Sequence, residues 1–174
     1  SSDDNEEAAF KKKKMDLLNS LEAKLLGNDG TEVAVHSLQG KLVAFYFSAH
    51  WCPPCREFTP VLKDFYEEVN SDGSKLEIVF ISSDDNEEGQ LEYFKTAHGK
   101  WLALPFSSPM RNQLKVKYGV CAAKEKDAVG VEPRRQGIPT LLVVRPDGSE
   151  ISVNGVDDIH NSGLGALKRW IAAA

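Results

Sequence analysis

Two cysteines separated by two prolines are the residues of this sequence best suited to chemistry. Cys52 and Cys55 enclose Pro53 and Pro54 in the string WCPPC. A close pair of thiols can exchange with a disulfide, because the thiolate of one attacks the substrate and the other resolves the mixed disulfide. We expect Cys52 to attack and Cys55, one helical turn onward, to resolve.

The residues around the pair predict that Cys52 lies where a buried strand meets a helix. Residues 41–48 contain the apolar run LVAFYF, and apolar residues recur at helical spacing over 58–69. A thiolate at a helix N-terminus is stabilised by unpaired N–H groups and by the helix dipole. Pro53 and Pro54 fit the first helical turn, where a missing N–H costs little.

A zinc site is the main alternative for two close cysteines. Structural zinc needs four ligands, often as two spaced pairs, and the second pair is missing here. Completing the site would require Cys121 and scattered histidines, which are His36, His50, His98 and His160. We therefore expect no metal and no other cofactor. His50 could instead tune the charge of Cys52, although a surface histidine without a role is more common.

Composition limits the class of protein. The 174 residues are 41% hydrophobic and 27% charged, which suits one globular domain with its own core. A net charge of −5 argues against nucleic-acid binding. No apolar run approaches the roughly 20 residues that span a membrane. Three cysteines cannot form a fully paired framework, which favours a reducing compartment.

The N-terminal residues differ in character from the remainder. Residues 1–14 are acidic and then basic and end in four lysines. We expect a flexible charged tail there, followed by one domain over residues 15–174. We also expect a monomer in the cytoplasm, with the nucleus as the alternative because a lysine cluster can act as a nuclear address.

Helical and strand patterns alternate along the domain. Helices are predicted over 15–26, from the cysteine pair to Val69, over 90–97 and 111–118, and around Leu164–Ile171. Strands are predicted over 41–48, 76–82, 140–145 and 150–153. Gly27 should end the first helix, and Pro60 should kink the second. The alternation predicts an α/β fold with a central mixed sheet and helices on both faces.

A second signal lies far from the cysteines, in Gly137-Ile138-Pro139. Pro139 directly precedes an apolar strand, where proline is a candidate for a cis peptide bond. Such a bond would turn the backbone of Ile138 toward the cysteine pair.

Four segments together resemble the tryparedoxin and nucleoredoxin branch of the thioredoxin superfamily: FYFSAHWCPPCREFTPVLKDFYEE, LEIVFISSD, KWLALPF and GIPTLLVVRPDG. The resemblance runs from about Glu32 to about Gly155, and ordinary thioredoxins read WCGPC instead of WCPPC. It implies the thioredoxin fold and a protein-disulfide reductase with a redox-active centre that serves cell redox homeostasis.

The resemblance also implies roles for single residues. Cys52 and Cys55 match the attacking and resolving cysteines, and Tyr46 stands where ordinary thioredoxins bury an aspartate. A phenol titrates near pH 10, so proton transfer at Cys55 must use water or another group. The residues expected to support the pair or bind the substrate are Trp51, Pro53, Pro54, Ile138 and Pro139.

Two departures from the branch affect partner choice. Ser83 stands where tryparedoxins usually place a tryptophan that binds their trypanothione reductant. An insertion at about 121–136 should lie beside the active site because Pro139 does. Cys121 in it is either idle, a third redox group or a link between chains. Its basic residues would offer charge to acidic partners; they are Lys124, Lys126, Arg134 and Arg135.

The leading functional hypothesis is an enzyme that reduces disulfides in proteins or small thiol compounds. Its electron donor would be a reductase, such as a flavin-dependent thioredoxin reductase, or a low-molecular-weight thiol such as glutathione or the dithiol trypanothione. A redox-sensing binding module is the first alternative, since nucleoredoxin-like proteins also bind signalling proteins. A structural domain with incidental cysteines is the second.

Overall fold

The computed structural model describes residues 16–20 and 23–174, and the predicted tail over 1–14 lies outside this range. The helices are α1 (Asp16–Ser20), α2 (Pro53–Val69), α3 (Glu87–Thr96), α4 (Met110–Tyr118), α5 (Lys126–Val129), α6 (Gly155–Ser162) and α7 (Gly165–Ala173). The strands are β1 (Leu25–Leu26), β2 (Glu32–Val33), β3 (Leu42–Ser48), β4 (Leu76–Ser82), β5 (Leu102–Ala103), β6 (Thr140–Val144) and β7 (Glu150–Ser152). Short 3₁₀ turns cover Val35–Leu38 and Ala123–Glu125.

The described strands form one mixed sheet in the order β2-β1-β5-β4-β3-β6-β7. Strands β3, β4 and β5 run parallel, whereas β6 pairs antiparallel with β3, and β7 antiparallel with β6. Strands β3 and β4 are buried at every position, which explains their nearly continuous apolar sequences. The predicted mixed sheet is therefore confirmed.

Helices cover both faces of the sheet, as predicted. One face packs against α2, α3, α6 and α7, with Leu62 of α2 and Trp170 of α7 among the buried contacts. The other face packs against α1 and α4, with Leu18 and Leu114 in contact with β3 and β4. The two apolar layers fix β3 and α2 rigidly, so the junction between them has a defined geometry.

The prediction of a helix over 15–26 is wrong at its C-terminal end. Leu25 pairs with Val33, and Leu26 pairs with Ala103, so these two leucines form strand β1, which lies between β2 and β5. Leucines at helical spacing do not distinguish a helix from a short strand that is buried on one side. Gly27 consequently lies in the turn between β1 and β2 and ends no helix.

Other differences are smaller. Helices α5 and α6 and strands β2 and β5 were not predicted. Helix α5 and the two strands are too short to show a periodic pattern. Helix α2 continues through Pro60 to Val69. The kink at Pro60 stays a prediction.

The segment predicted to be an insertion, residues 121–136, begins and ends at a bridge between Val120 and Gln136 and is called the insertion below. It contains the second 3₁₀ turn and α5. Cys121 and Val131 are buried, so this segment packs against the domain and does not lie wholly on its surface. Glu125 accepts a hydrogen bond from Ser83 and Lys124 pairs with Asp85, so the segment lies beside the residues that follow β4.

Candidate active site

Cys52 is the N-cap residue of α2, at the junction that the sequence predicted. Its extended backbone ends the loop after β3, and its Sγ accepts a hydrogen bond from the Cys55 N–H at 3.4 Å. Pro53 and Pro54 occupy the first two helical positions and have no N–H. The amide of Cys55 is therefore the first that the helix can offer, and it points at the sulfur of Cys52.

The two sulfurs differ in their access to solvent. Cys52 keeps 5% of its surface exposed, whereas Cys55 has none. The pKa of the Cys55 thiol is raised to about 12, first by burial and then by its hydrogen bond to Cys52. Cys55 therefore stays protonated at neutral pH. The accessible sulfur suited to first attack is that of Cys52.

Trp51 is held beside the pair at 37% exposure. Its indole N–H donates a hydrogen bond to the Ser83 carbonyl at 2.9 Å. The preceding amide, that of His50, donates to Asp84 Oδ1 at 2.8 Å, and the Ser83 amide donates to the Ser48 carbonyl at 2.9 Å. The loop that carries Cys52 is thus fastened to the residues after β4.

The register of the sheet brings Ile138 and Pro139 next to the cysteine pair. Thr140, the first residue of β6, pairs with Phe47 near the end of β3. Ile138 packs against the cluster that contains Cys52 and Cys55. The Ile138–Pro139 peptide bond is cis, which confirms the prediction. A second cis bond, Glu132–Pro133 in the insertion, was not predicted.

Behind Cys55 lies a cluster of four buried hydroxyl groups that the sequence analysis did not identify as a unit; they belong to Tyr46, Ser48, Thr59 and Tyr93. Thr59 Oγ1 lies 2.8 Å from the Tyr46 oxygen and 2.6 Å from the Tyr93 oxygen. The Tyr93 oxygen also lies 2.8 Å from Ser48 Oγ. Burial raises the pKa of Tyr46 well above its usual value, which agrees with the expectation that this phenol is no base near neutrality.

The donor directions in this hydroxyl cluster follow from one contact. Thr59 Oγ1 donates to the Cys55 carbonyl at 2.8 Å, because a carbonyl can only accept. Thr59 has one proton, so both tyrosines must donate to it. Tyr93 has then used its own proton, and Ser48 must donate to Tyr93. The Ser48 hydroxyl also interacts with Cys55 and lowers the pKa of that thiol.

The insertion reaches the site through two adjacent residues. The Lys124 ammonium lies 3.8 Å from the ring centre of Trp51. The Glu125 carboxylate accepts a hydrogen bond from the Ser83 hydroxyl and forms an ion pair with Lys115 at 2.6 Å. The expectation that the insertion lies beside the active site is therefore confirmed.

The four basic residues of the insertion do not form a free positive patch. Lys124 pairs with Asp85 at 2.9 Å, Lys126 with Glu132 at 3.6 Å, and Arg135 with Glu150 at 2.6 Å, while Arg134 donates to the Cys121 carbonyl at 3.2 Å. The attraction for acidic partners stays a prediction; of the four, Lys124 is the one whose described contacts include Trp51.

Comparison with known proteins places this site in a family. The profile of the family described as "Thioredoxin-like" matches residues 40–150, most of the chain. The chain belongs to the thioredoxin-like family. It is 38% identical to mouse nucleoredoxin over 138 residues, which cover 79% of this chain and 28% of that protein.

Solved structures of this thioredoxin-like family agree with the fold. A thioredoxin from Wuchereria bancrofti has a TM-score of 0.67 and 42% identity, and the match covers 87% of this chain and 96% of that one. Tryparedoxin I from Crithidia fasciculata has a TM-score of 0.67 and 38% identity, with 86% and 93% covered. The chain thus has the thioredoxin fold and belongs to the nucleoredoxin and tryparedoxin branch of the thioredoxin-like oxidoreductase family.

Among residues 16–20 and 23–174, no three or more His, Cys, Asp or Glu side chains form a group that could hold a metal ion. Over the same residues, every helix is too short or too polar to cross a membrane.

The residues missed by sequence reasoning carried weak signals. Ser48 is polar at the end of an apolar strand, and Thr59 is polar within an apolar helix face; both patterns are compatible with exposed positions. Asp84 was part of the SSD string but was given no role. Glu125 and Lys115 lie on different elements, and nothing in their spacing indicates that they meet.

Proposed function

We propose that this protein reduces disulfides of proteins and small molecules through the pair Cys52 and Cys55. The observation that supports this proposal best is the asymmetry of the pair. Cys52 caps α2 and accepts the Cys55 amide, whereas Cys55 is fully buried behind it. An accessible nucleophile with a protected partner one turn away is the arrangement that thiol–disulfide exchange requires.

In the first step the Cys52 thiolate attacks one sulfur of the substrate disulfide. A bond forms between that sulfur and Cys52, the substrate S–S bond breaks, and the departing thiolate takes a proton from solvent. Trp51 and Ile138 border the approach to Cys52 and are proposed to bind the substrate chain.

In the second step Cys55 loses its proton and attacks the sulfur of Cys52. The mixed disulfide breaks, the second substrate thiol leaves, and a Cys52–Cys55 disulfide forms, so the enzyme is oxidised by two electrons while the substrate gains them. We propose that the Ser48 hydroxyl turns from Tyr93 toward the sulfur as Cys55 becomes a thiolate. This rotation would give the Cys55 thiolate a hydrogen bond, which supports the resolving step in a site where Tyr46 replaces the aspartate of ordinary thioredoxins.

The cycle needs a reductant of the Cys52–Cys55 disulfide. We propose a reductase or a low-molecular-weight dithiol as the donor, and a reducing compartment such as the cytoplasm. The proposed compartment is supported by the odd number of cysteines, because three cysteines cannot form a fully paired framework.

Reduction of insulin, with dithiothreitol as the donor, tests the proposal. The parent protein should accelerate reduction, Cys52→Ser should be inactive, and Cys55→Ser should accumulate a mixed disulfide that is visible by mass spectrometry. Cys121→Ser is the matched control, because it removes the third buried cysteine and should keep full activity.

Two outcomes would contradict the proposal. Capture of substrate by the Cys52→Ser protein would reverse the roles of the two cysteines. If the parent protein does not accelerate the reduction of insulin beyond the rate with dithiothreitol alone, the disulfide-reductase function is rejected. A redox-sensing binding module would then be favoured.

A further inference from the structure

Glu125 fixes the insertion to the end of β4. One carboxylate oxygen pairs with Lys115 at 2.6 Å, and the other accepts the Ala122 amide at 2.8 Å and the Ser83 hydroxyl. The Lys115 side chain is fully buried and also donates to the Ser82 carbonyl at 2.9 Å. A partly buried, multiply bonded carboxylate of this kind leaves the backbone around it little freedom.

The residue before this anchor is Lys124, and it faces the active site. Its ammonium lies 3.8 Å from the ring centre of Trp51, the residue next to Cys52. The indole is itself fixed by the hydrogen bond from its N–H to the Ser83 carbonyl. The cation is therefore held at the wall of the approach to Cys52, at the place where a substrate would contact Trp51.

The charge of Lys124 is accessible to a ligand. About half of its side chain is exposed, at 49%, and its partner Asp85 is 68% exposed. Ion pairs in which both partners are so exposed are weak, so a carboxylate from outside can replace Asp85 at little cost. Lys115, by contrast, is fully buried and forms its ion pair with Glu125, so it is not accessible to a substrate.

We propose that Lys124 determines substrate specificity by binding a carboxylate of the substrate on the Trp51 side of Cys52. The preferred substrates are disulfides with an acidic residue next to the scissile cysteine. Lys124 takes no part in the exchange of thiols; it binds the substrate that Cys52 attacks. The inference rests on the proposed disulfide-reductase function and adds the class of substrate to it.

Two disulfide peptides that differ only in Glu or Gln beside the scissile cysteine test the inference. For the parent protein we expect kcat/KM to be about fivefold higher for the Glu peptide, the effect of one partly exposed ion pair. Lys124→Met should bring the ratio close to one by raising KM for the Glu peptide, with kcat unchanged. Lys124→Arg should retain the preference.

Lys126→Met is the matched control, because Lys126 lies in the same insertion but pairs with Glu132. It should keep the parent ratio. A parent ratio of one, or a ratio that survives in Lys124→Met, would overturn the inference while leaving the reductase function intact. Failure of the parent protein to reduce either peptide would instead reject the proposed function itself.

Discussion

The hydroxyl oxygens of Tyr93 and Thr59 lie 2.6 Å apart in the core behind Cys55. Thr59 gives its proton to the Cys55 carbonyl, so Tyr93 donates to Thr59 and in turn receives the proton of Ser48. The Ser48 hydroxyl therefore donates its hydrogen bond to Tyr93 as long as Cys55 is a neutral thiol. Competition between Tyr93 and the sulfur for this one proton has measurable consequences.

Ser48→Ala and Tyr93→Phe should change the resolving step in opposite directions. Ser48→Ala removes the hydroxyl that lowers the pKa of Cys55, so decay of the mixed disulfide should slow by about 10- to 100-fold, the effect of a hydrogen bond to a charged group. Tyr93→Phe frees the Ser48 proton for the sulfur and should speed decay. Single-turnover reactions, quenched with acid and read by mass spectrometry, measure both rates.

Ser71→Ala is a suitable control for these variants. Ser71 is exposed beyond the far end of α2, where its hydroxyl bonds only to the Glu68 carbonyl among the described contacts. Equal slowing by Ser48→Ala and Tyr93→Phe would show that the hydroxyl cluster supports packing and that Ser48 does not donate a hydrogen bond to the Cys55 thiolate.

His98 should make the fold sensitive to mild acid. Its ring is buried against Phe80 and Tyr93, and Nδ1 accepts the Trp101 indole N–H at 2.9 Å. Burial lowers the pKa of His98 from 6.5 to about 3, so only the unfolded chain takes up a proton between these values. The free energy of unfolding should fall by about 1.4 kcal/mol for each pH unit below about 6.5.

Urea unfolding at several pH values between 7 and 4 measures this slope. His98→Gln should remove that part of the pH dependence, whereas His36→Gln, at an exposed histidine, should leave it unchanged. Parallel pH profiles for the parent and His98→Gln would show that His98 does not cause the acid sensitivity.

Cys121 should be chemically inert in the folded protein. Its side chain is fully buried, and its pKa is raised, first by burial and then by the Glu125 carboxylate. A brief pulse of iodoacetamide at pH 8 should label Cys52 and leave Cys121 unmodified until urea is added. Labelling of Cys121 as fast as Cys52, or loss of a covalent dimer in Cys121→Ser, would support the alternative of a third redox group or a cross-link.

Local patterns predicted those parts of the site that are continuous in sequence. The strand before Cys52 and the helix after it are long and strongly apolar on their buried sides, so the junction between them could be located from composition and spacing. Pro139 could be placed because a proline before an apolar strand is rare enough to carry information.

The other parts of the site depend on contacts between residues that are far apart in sequence, and the spacing of residues does not predict such contacts. Ser48, Thr59 and Tyr93 lie on three different elements, and their hydroxyls meet only because β3, α2 and α3 pack together. The burial of His98 could not be predicted, because the sequence around a single histidine does not show whether it is buried or exposed. Leu25 was misassigned because the partner strand that decides its structure lies elsewhere in the chain.

The Glu125–Lys115 contact limits how far the insertion can be transferred between proteins. The ion pairs of the insertion with Asp85 and Glu150 are solvent-exposed or partly exposed, whereas the Glu125 carboxylate is partly buried and is neutralised by a fully buried lysine of α4. If residues 121–136 were grafted onto a relative without a lysine at that position, a partly buried negative charge would lack its counter-ion. The insertion and Lys115 therefore form one exchangeable unit, and swaps that ignore the lysine should yield a displaced loop rather than a new specificity.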